Sequence, residues 1–237
     1  MKRFLILILL IGIVVISFIP VVPKKISEAN NPILIEPMKL SSGDYKVELG
    51  ENHSSESGYQ NTSFEYIADL NDIFSDINGE RPFPWGGEIF HGKISFLLSE
   101  KDSYDGERCF KIIGYSKNDH GAIAIPDLSL KPNVQPGGLY YLSFWVKYDV
   151  RGGEFRLTQQ FFRKEDRKYP YYVCYGPWIK GSSNQDWEYV GLLVQAPMDS
   201  WKGSPILELK GKGCISADDV YFGKIEIIKE VSKNEIL

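Results

Sequence analysis

Hydrophobic and polar residues alternate with a period of two along most of the chain after residue 60, which is the pattern of half-buried β-strands. In LYYLSFWVKYD (139–149), Leu142, Phe144 and Val146 share one face and Trp145 lies on the other. Similar segments, bounded by turn residues, cover 108–115, 121–130, 154–162, 169–178, 186–197, 204–211 and 214–227. This spacing predicts an all-β fold, a jelly-roll β-sandwich of two antiparallel sheets.

The N-terminal segment has a different pattern. Lys2 and Arg3 are followed by an almost wholly apolar run, residues 4–22, which is long for a signal peptide and long enough to span a bilayer. Residues 1–25 are therefore predicted to be a signal peptide or a signal anchor. Either alternative places the rest of the chain outside the cytoplasm, secreted or anchored to the cell membrane through residues 4–22.

The remainder divides into two parts. Residues 26–60 are polar and lack periodicity, and GENHSSESGYQ (50–60) is rich in Ser, Gly and charge, so this range is predicted to be a flexible tether. Residues 61–230 are predicted to form the β-sandwich domain. A chain of 237 residues is long enough for one domain of ordinary size with a buried core.

Composition and charge narrow the class of protein. With 43% hydrophobic and 24% charged residues, the chain is globular, and its net charge of −4 without a basic stripe argues against a nucleic-acid partner. Cys109, Cys174 and Cys214 are too widely spaced for a zinc site. We expect them to be small buried side chains, although an oxidising compartment would also allow two of them to pair.

Seven short motifs occur in a fixed order between residues 61 and 227. They are NTSFE (61–65), PWG (84–86), SYDG with CFKI (103–106 and 109–112), LKP (130–132), YLSFWVK (141–147), DWE (186–188) and DDV (218–220). Together they resemble the carbohydrate-binding modules of families 4, 9 and 22, which have a galactose-binding-domain-like β-sandwich. Two departures are the lengthened turn at 133–136 and the long segment 66–84. The resemblance implies non-catalytic binding of a polysaccharide or glycan, and allows a separate carbohydrate-active enzyme as a partner.

Asp218 and Asp219 stand side by side in a segment with a strand pattern, where a buried carboxylate needs a compensating partner. The resemblance implies a structural Ca²⁺ held by carboxylates of the first and last strands and a nearby loop, and the matching residues are Glu65, Asp105 and Asp219. The alternative is that Asp218 and Asp219 accept hydrogen bonds from backbone N–H groups in a β-bulge.

A ligand surface is predicted around Trp145, because a large aromatic side chain opposite an apolar row faces outward and can pack against a sugar ring. Arg156 and Gln160, on the following segment, have the parity to stand near it. The alternative is that Trp145 packs beneath a loop. The predicted ligand-binding residues are Trp145, Arg156, Gln160, Tyr172, Trp178 and Trp85.

Catalytic motifs are absent from the sequence. There is no Gly-x-Ser-x-Gly elbow, and the adjacent carboxylates Asp218 and Asp219 point apart instead of flanking a bond. His120 follows a turn and is expected to be solvated, although with Tyr172, Arg156 and Gln160 it supplies the residue types of a jelly-roll polysaccharide lyase. We therefore expect a binding module and no enzyme. The alternatives are a surface structural or interaction domain without a sugar ligand and, less favoured, a polysaccharide lyase or glycoside hydrolase.

Overall fold

The computed structural model describes residues 32–37, 45–52, 64, 67–69, 80–82, 84–100, 102–165 and 169–229, with the backbone alone at 45–52, 67–69, 80–82 and 227–229. The strands are β1 (Ile33–Ile35), β2 (Tyr45–Asn52), β3 (Ile67–Asp69), β4 (Glu80–Pro82), β5 (Gly86–His91), β6 (Ile94–Ser99), β7 (Cys109–Gly114), β8 (His120–Ala124), β9 (Leu139–Phe162), β10 (Tyr172–Tyr175), β11 (Ile179–Lys180), β12 (Ser183–Gln195) and β13 (Lys202–Lys229). A short 3₁₀ helix, Leu128–Leu130, lies between β8 and β9.

The two longest strands, β9 and β13, form an antiparallel ribbon that organises the fold. Their pairing extends from Phe162 opposite Lys202 to Tyr140 opposite Lys224. Midway along the ribbon the two backbones approach closely, because a Cβ on Gly211 would lie 2.7 Å from the Cα of Gly153. Gly211 also has a φ of +90°, which side-chain-bearing residues rarely adopt. Glycine is thus required at the point where the ribbon turns.

The side of β9 that faces the core changes at this point. Before the glycines the even-numbered residues are buried, among them Leu142 and Phe144, whereas after them the odd-numbered Phe155 and Leu157 are buried. All four belong to one hydrophobic core. The two halves of the ribbon therefore lie in different layers with the core between them, and the molecule is a β-sandwich, as the alternation predicted.

Each layer is completed by strands at the two edges of the ribbon. In the first layer, β12 pairs with the first half of β9, and β7 and β2 pair with the second half of β13, while β6 extends the layer beyond β7. In the second layer, β10 and β11 pair with the second half of β9, and β8, followed by β5, pairs with the first half of β13. β1 pairs with β10 in parallel, so the sheets are not wholly antiparallel.

The strands differ from the prediction, and β5 and β6 lie outside every predicted segment. The segments 139–149 and 154–162, expected to be separate strands, are one strand, and the same holds for 204–211 and 214–227. Within the range 26–60, for which a tether is predicted, β1 and β2 are strands of the main sheet.

The prediction for the cysteines is confirmed in part, whereas the prediction for the N-terminal segment is not tested by the described residues. All three cysteines are free thiols, with Cys109 and Cys174 buried and Cys214 half-buried. The predicted signal peptide or anchor, residues 1–25, lies outside the described residues. Within the described ranges, no helix has the length and apolar character needed to cross a membrane.

Candidate functional site

Five aromatic rings form a continuous row on the outer side of the first layer, and we name this row the tyrosine strip. Tyr104 stacks on Trp145 with ring centres 4.0 Å apart and planes inclined by 13°. The row continues from Trp145 to Tyr189 at 5.2 Å, from Tyr189 to Tyr141 at 6.2 Å, and from Tyr141 to Tyr221 at 6.3 Å. Neighbouring rings are thus close enough along the whole row to form one surface.

The strand register produces this row. Trp145 pairs with Tyr189 on β12, and Ser143 pairs with Gly191 on β12 and with Tyr221 on β13, so their side chains project from the same side of three adjacent strands. A Cβ on Gly191 would collide with the hydroxyl of Tyr141. Glycine therefore leaves the space that lets Tyr141 lie flat across β12.

The strip combines exposed rings with polar groups. Tyr104 and Tyr189 are 43% and 42% exposed, and the Ser143 hydroxyl donates a hydrogen bond to the Tyr189 oxygen at 2.7 Å. Burial, with Tyr189 nearby, raises the pKa of Tyr141 to about 12, so its hydroxyl stays protonated at physiological pH. Beside the strip, Lys147 pairs with Asp102 at 2.8 Å. The surface can therefore offer apolar rings and neutral hydroxyl groups together.

Tyr104 reaches Trp145 from a loop, so the alternative that Trp145 packs beneath a loop is correct for one face of its ring. The buried carboxylate of Asp218 fixes this loop, because it accepts the backbone N–H of Tyr104 at 2.7 Å and of Asp105 at 3.1 Å. Burial raises the pKa of Asp218 to about 6, despite these bonds. The position of Tyr104, the ring at one end of the tyrosine strip, therefore depends on a residue of the last strand.

The Asp218–Asp219 pair lies in a β-bulge, as one of the two alternatives predicted. The register between β13 and β9 shifts between Asp218 and Tyr221, and Asp219 has a φ of +40°. The backbone N–H of Asp219 also donates to the Asp218 carboxylate, at 2.8 Å. Three backbone N–H groups thus compensate the buried Asp218.

The described residues do not test the calcium prediction. Burial and the nearby charge of Asp105 raise the pKa of Asp219, so these two carboxylates lie close enough to repel each other. Asp218 is engaged by backbone donors, and Glu65 lies outside the described residues. The described ranges contain no cluster of three or more His, Cys, Asp or Glu that could hold a metal ion. They supply two of the three predicted carboxylate ligands, Asp105 and Asp219, and calcium stays a proposal.

A second group of polar and aromatic residues lies on the outer side of the second layer, and we name it the arginine face. Its centre is Arg156, whose guanidinium carbon lies 3.7 Å from the centre of the Tyr175 ring and 4.2 Å from that of Trp178. Arg156 pairs across the strands with Glu208 and binds its carboxylate at 3.0 Å. The Nε2 atom of His120 lies 3.1 Å from the same carboxylate.

Glu208 is charged although it is buried. Burial pushes the pKa of its carboxyl upward, but hydrogen bonds from His120 and Thr158 and the charge of Arg156 outweigh this effect and lower the pKa below its usual value. His120 is thus part of a fixed network and not simply a solvated turn residue, as the sequence suggested. Nearby, Glu154 pairs with Lys180 at 3.3 Å and Lys210 at 3.1 Å.

The predicted ligand residues do not form one site. Because the buried side of β9 changes at the glycines, Arg156 and Gln160 project from the second layer, whereas Trp145 projects from the first. The expectation that Arg156 and Gln160 stand near Trp145 is therefore corrected. Trp178 joins Arg156 as part of the arginine face. The sequence prediction placed on one surface residues that the structure divides between two layers.

Trp85 and Tyr172 lie elsewhere. Trp85 is 1% exposed and packs edge-on against Phe64 and Phe144, so its role is corrected from a ligand platform to a core side chain. Tyr172 accepts a hydrogen bond from Arg163 at 3.0 Å and lines a cavity of about 370 Å³ near Met198. Neither residue contributes to the tyrosine strip.

Sequence reasoning missed Tyr104, Tyr189, Tyr175 and Glu208. For two of them, the sequence contains a pattern that could have identified them. Tyr189 alternates with Trp187 and Gly191 along β12, and Glu208 is a lone carboxylate in the apolar segment 204–211. Tyr104 and Tyr175 reach their partners only through tertiary contacts.

No protein-family model matches the chain, and no curated protein matches its sequence. Solved structures with a similar fold include the enzymatically active domain of bacteriophage CBA120 tailspike protein 4, with a TM-score of 0.46, 10% identity, and 60% of this chain aligned to 19% of that one. A second is the structure of the CBM22-1–GH10 modules of Clostridium thermocellum endo-1,4-β-D-xylanase 10B with xylohexaose. Its TM-score is 0.44 at 16% identity, and 60% of this chain aligns to 26% of that one. A third is TmCBM61 with β-1,4-galactotriose, with a TM-score of 0.44 and 13% identity, where 74% of this chain aligns to 99% of that one.

Most of the similar structures are carbohydrate-binding modules, the class that the sequence motifs resemble. The chain spans only about a fifth and a quarter of the first two structures. At these TM-scores and identities, the likenesses carry no argument about a ligand.

Proposed function

We propose that the protein binds a polysaccharide or glycan, without catalysis, along the tyrosine strip. The observation that carries this proposal is the unbroken row of five rings from Tyr104 to Tyr221 on an outer sheet face. Monomeric proteins rarely expose contiguous aromatic surface without a binding role. The row extends over three strands and a loop, which suits an extended chain of sugar units better than one sugar.

The chemistry of the strip fits neutral sugars. The apolar face of a pyranose ring packs against Tyr104, Trp145 or Tyr189, while the phenol hydroxyls and Ser143 exchange hydrogen bonds with sugar hydroxyls. Stacking and a few hydrogen bonds on an open surface correspond to a Kd on the order of micromolar to millimolar. Useful retention then requires anchoring or several copies.

We place this binding outside the cytoplasm, on an exported or membrane-anchored protein. The support is the pattern of residues 1–25, with two cations before the apolar run 4–22. An anchored module would hold a glycan at the cell surface or recruit a separate carbohydrate-active enzyme to it. A structural Ca²⁺ beside Asp105 and Asp219 would relieve the repulsion between these carboxylates and stabilise the loop that carries Tyr104.

Native affinity electrophoresis tests the proposed function. The full-length protein, in mild detergent, is run in gels containing xylan, mixed-linkage β-glucan, mannan or galactan, beside Trp145→Ala. The control is Tyr115→Ala, an exposed tyrosine that hydrogen-bonds Ser95, away from the strip.

We expect retardation by at least one neutral glycan, its loss in Trp145→Ala, and its retention in Tyr115→Ala. If no glycan retards the folded parent, the strip belongs to an interaction domain without a sugar ligand. New reducing ends or unsaturated products in the gel would show instead that the protein is an enzyme.

A further inference from the structure

The arginine face is a second surface of unusual chemistry, and it lies on the opposite side of the sandwich from the tyrosine strip. Arg156 and Glu208 stand directly opposite each other on β9 and β13, and Tyr175 pairs with Thr158, so these side chains share the outer side of the second layer. The proposed function does not use any of them.

The guanidinium of Arg156 is held rigidly. Two aromatic rings, Tyr175 and Trp178, pack against it at 3.7 and 4.2 Å, and the carboxylate of Glu208 fixes one of its terminal nitrogens at 3.0 Å. Glu208 is itself immobilised by Thr158 and His120. An arginine held in this way loses little freedom when it binds a ligand, which favours recognition.

Arg156 has more donors than the protein uses. A guanidinium carries five N–H groups in one plane. Among the described residues its hydrogen-bond acceptor is Glu208, and the buried Nε atom has no partner. The Arg156 side chain keeps 14% exposure. Because Nε is buried, the N–H groups left for an external acceptor are those of Nη1 and the second N–H of Nη2, and a planar carboxylate matches their spacing.

The surroundings complement such an acceptor. Two rings of this face are exposed: Phe90, which packs on His120 at 4.7 Å, and Tyr175, which packs on Arg156. Lys210 lies with its Nζ atom 5.7 Å from the centre of the Trp178 ring. With Lys180, the face holds three cations and the carboxylates Glu208, Glu154 and Glu88, and burial raises the pKa of Glu88.

We infer that the arginine face binds a uronic acid unit of an acidic glycan. The carboxylate of the uronate lies against the guanidinium edge of Arg156, and the sugar ring packs against Tyr175 or Phe90. This site is independent of the proposed function, because it uses other residues on the other layer. The protein then has two glycan surfaces of different chemistry, one for neutral units and one for acidic units.

Isothermal titration of the full-length protein in mild detergent with oligogalacturonate tests this inference. Arg156→Lys keeps the charge but removes the planar fork, and we expect it to weaken binding about tenfold or more. Lys212→Met removes an exposed cation elsewhere, at the corner of the ribbon, and Trp145→Ala removes the centre of the tyrosine strip. Both controls should bind oligogalacturonate as the parent does.

Three outcomes would overturn the inference. They are the absence of binding to oligogalacturonate, equal binding by Arg156→Lys, and equal Arg156-dependent binding of a sulfated oligosaccharide that contains no uronate, which would indicate a general oxyanion site. Thermal unfolding checks that Arg156→Lys is folded. If it is not, Tyr175→Ala, which removes an exposed ring from the guanidinium, serves instead and should also weaken binding. Loss of neutral-glycan binding in Trp145→Ala alone would concern the proposed function and leave this site intact.

Discussion

The carboxylate of Asp218 accepts the backbone N–H of Tyr104 at 2.7 Å, although 114 residues separate the two in sequence. This bond joins the last strand to the loop whose tyrosine stacks on Trp145. A buried acidic residue thus positions the first ring of the tyrosine strip. The stability of the bulge and the shape of the proposed ligand surface are therefore linked.

Replacing Asp218 should disturb ligand binding through the loop. In Asp218→Ala, the N–H groups of Tyr104 and Asp105 lose their acceptor, which costs about 1–3 kcal/mol for a buried group left unsatisfied. We expect weaker retention by whichever neutral glycan retards the parent, measured by affinity electrophoresis, in a variant that is still folded. Tyr104→Ala should show a similar loss. Full retention in Asp218→Ala would separate the loop from the binding surface.

Stability should vary with pH through Asp218. Burial raises the pKa of its carboxyl to about 6, above the value in the unfolded chain, so the folded state binds more protons between about pH 4 and pH 6. Its contribution to stability is therefore present at low pH and is lost as the pH rises through about 6. We expect chemical denaturation in calcium-free buffer to show this fall, and Asp218→Asn to flatten it. An unchanged slope in Asp218→Asn would assign the effect to another group.

Breaking the network on the arginine face should destabilise the protein strongly. Glu208→Ala leaves the charge of Arg156 without its buried partner, and such a change costs about 3–5 kcal/mol. Glu154→Gln, which breaks pairs with the exposed Lys180 and Lys210, is the matched control and should have little effect. Urea unfolding of both variants measures the difference. Equal stability of the two variants would contradict the described network.

Trp85 and Trp145 should contribute different amounts to the free energy of unfolding. Trp85→Ala removes a buried ring that packs against Phe64 and Phe144, and we expect a loss of about 3–5 kcal/mol in the free energy of unfolding. Trp145→Ala removes a half-buried ring on the outer face, and we expect a loss of about 1 kcal/mol. Urea denaturation provides both values. A larger loss for Trp145→Ala would contradict the assignment of Trp85 to the core.

Calcium should stabilise the bulge region if it binds there. Saturating Ca²⁺ at about 100 times its Kd adds about 2.7 kcal/mol to the free energy of unfolding, so chelation should lower Tm. Asp219→Asn should abolish the calcium response, whereas Asp186→Asn, an exposed carboxylate on β12, should keep it. The same Tm with Ca²⁺ and with chelator would rule out the metal site.

Some features of the fold follow from neighbouring residues alone. Alternation along 139–149 correctly placed Leu142, Phe144 and Val146 in the core and Trp145 on the outside, because successive side chains of a strand point to opposite faces. For the adjacent Asp218 and Asp219, the sequence left a calcium site and a β-bulge as alternatives, and the bulge with its backbone donors is present, since a buried carboxylate needs local donors. Such features depend on rules that act within a few residues.

The composition of the candidate site was less predictable. The motif PWG does not reveal that Trp85 packs between Phe64 and Phe144, because burial depends on residues distant in sequence. Tyr104 gave no signal, since its loop is held in place by a strand more than 100 residues later.

The sequence alone therefore determined the all-β class of the fold, the approximate positions of most strands after residue 108 and the outward side of the segment 139–149, because these follow from the two-residue period of the backbone. Only the tertiary structure decided which outward side chains share a surface. The glycines at positions 152, 153 and 211 let the ribbon bend and change the buried side of β9, so Trp145 and Arg156 lie on opposite faces of the sandwich. A period counted along a strand carries no information across such a bend, because the parity of its two halves depends on how the layers pack around the core.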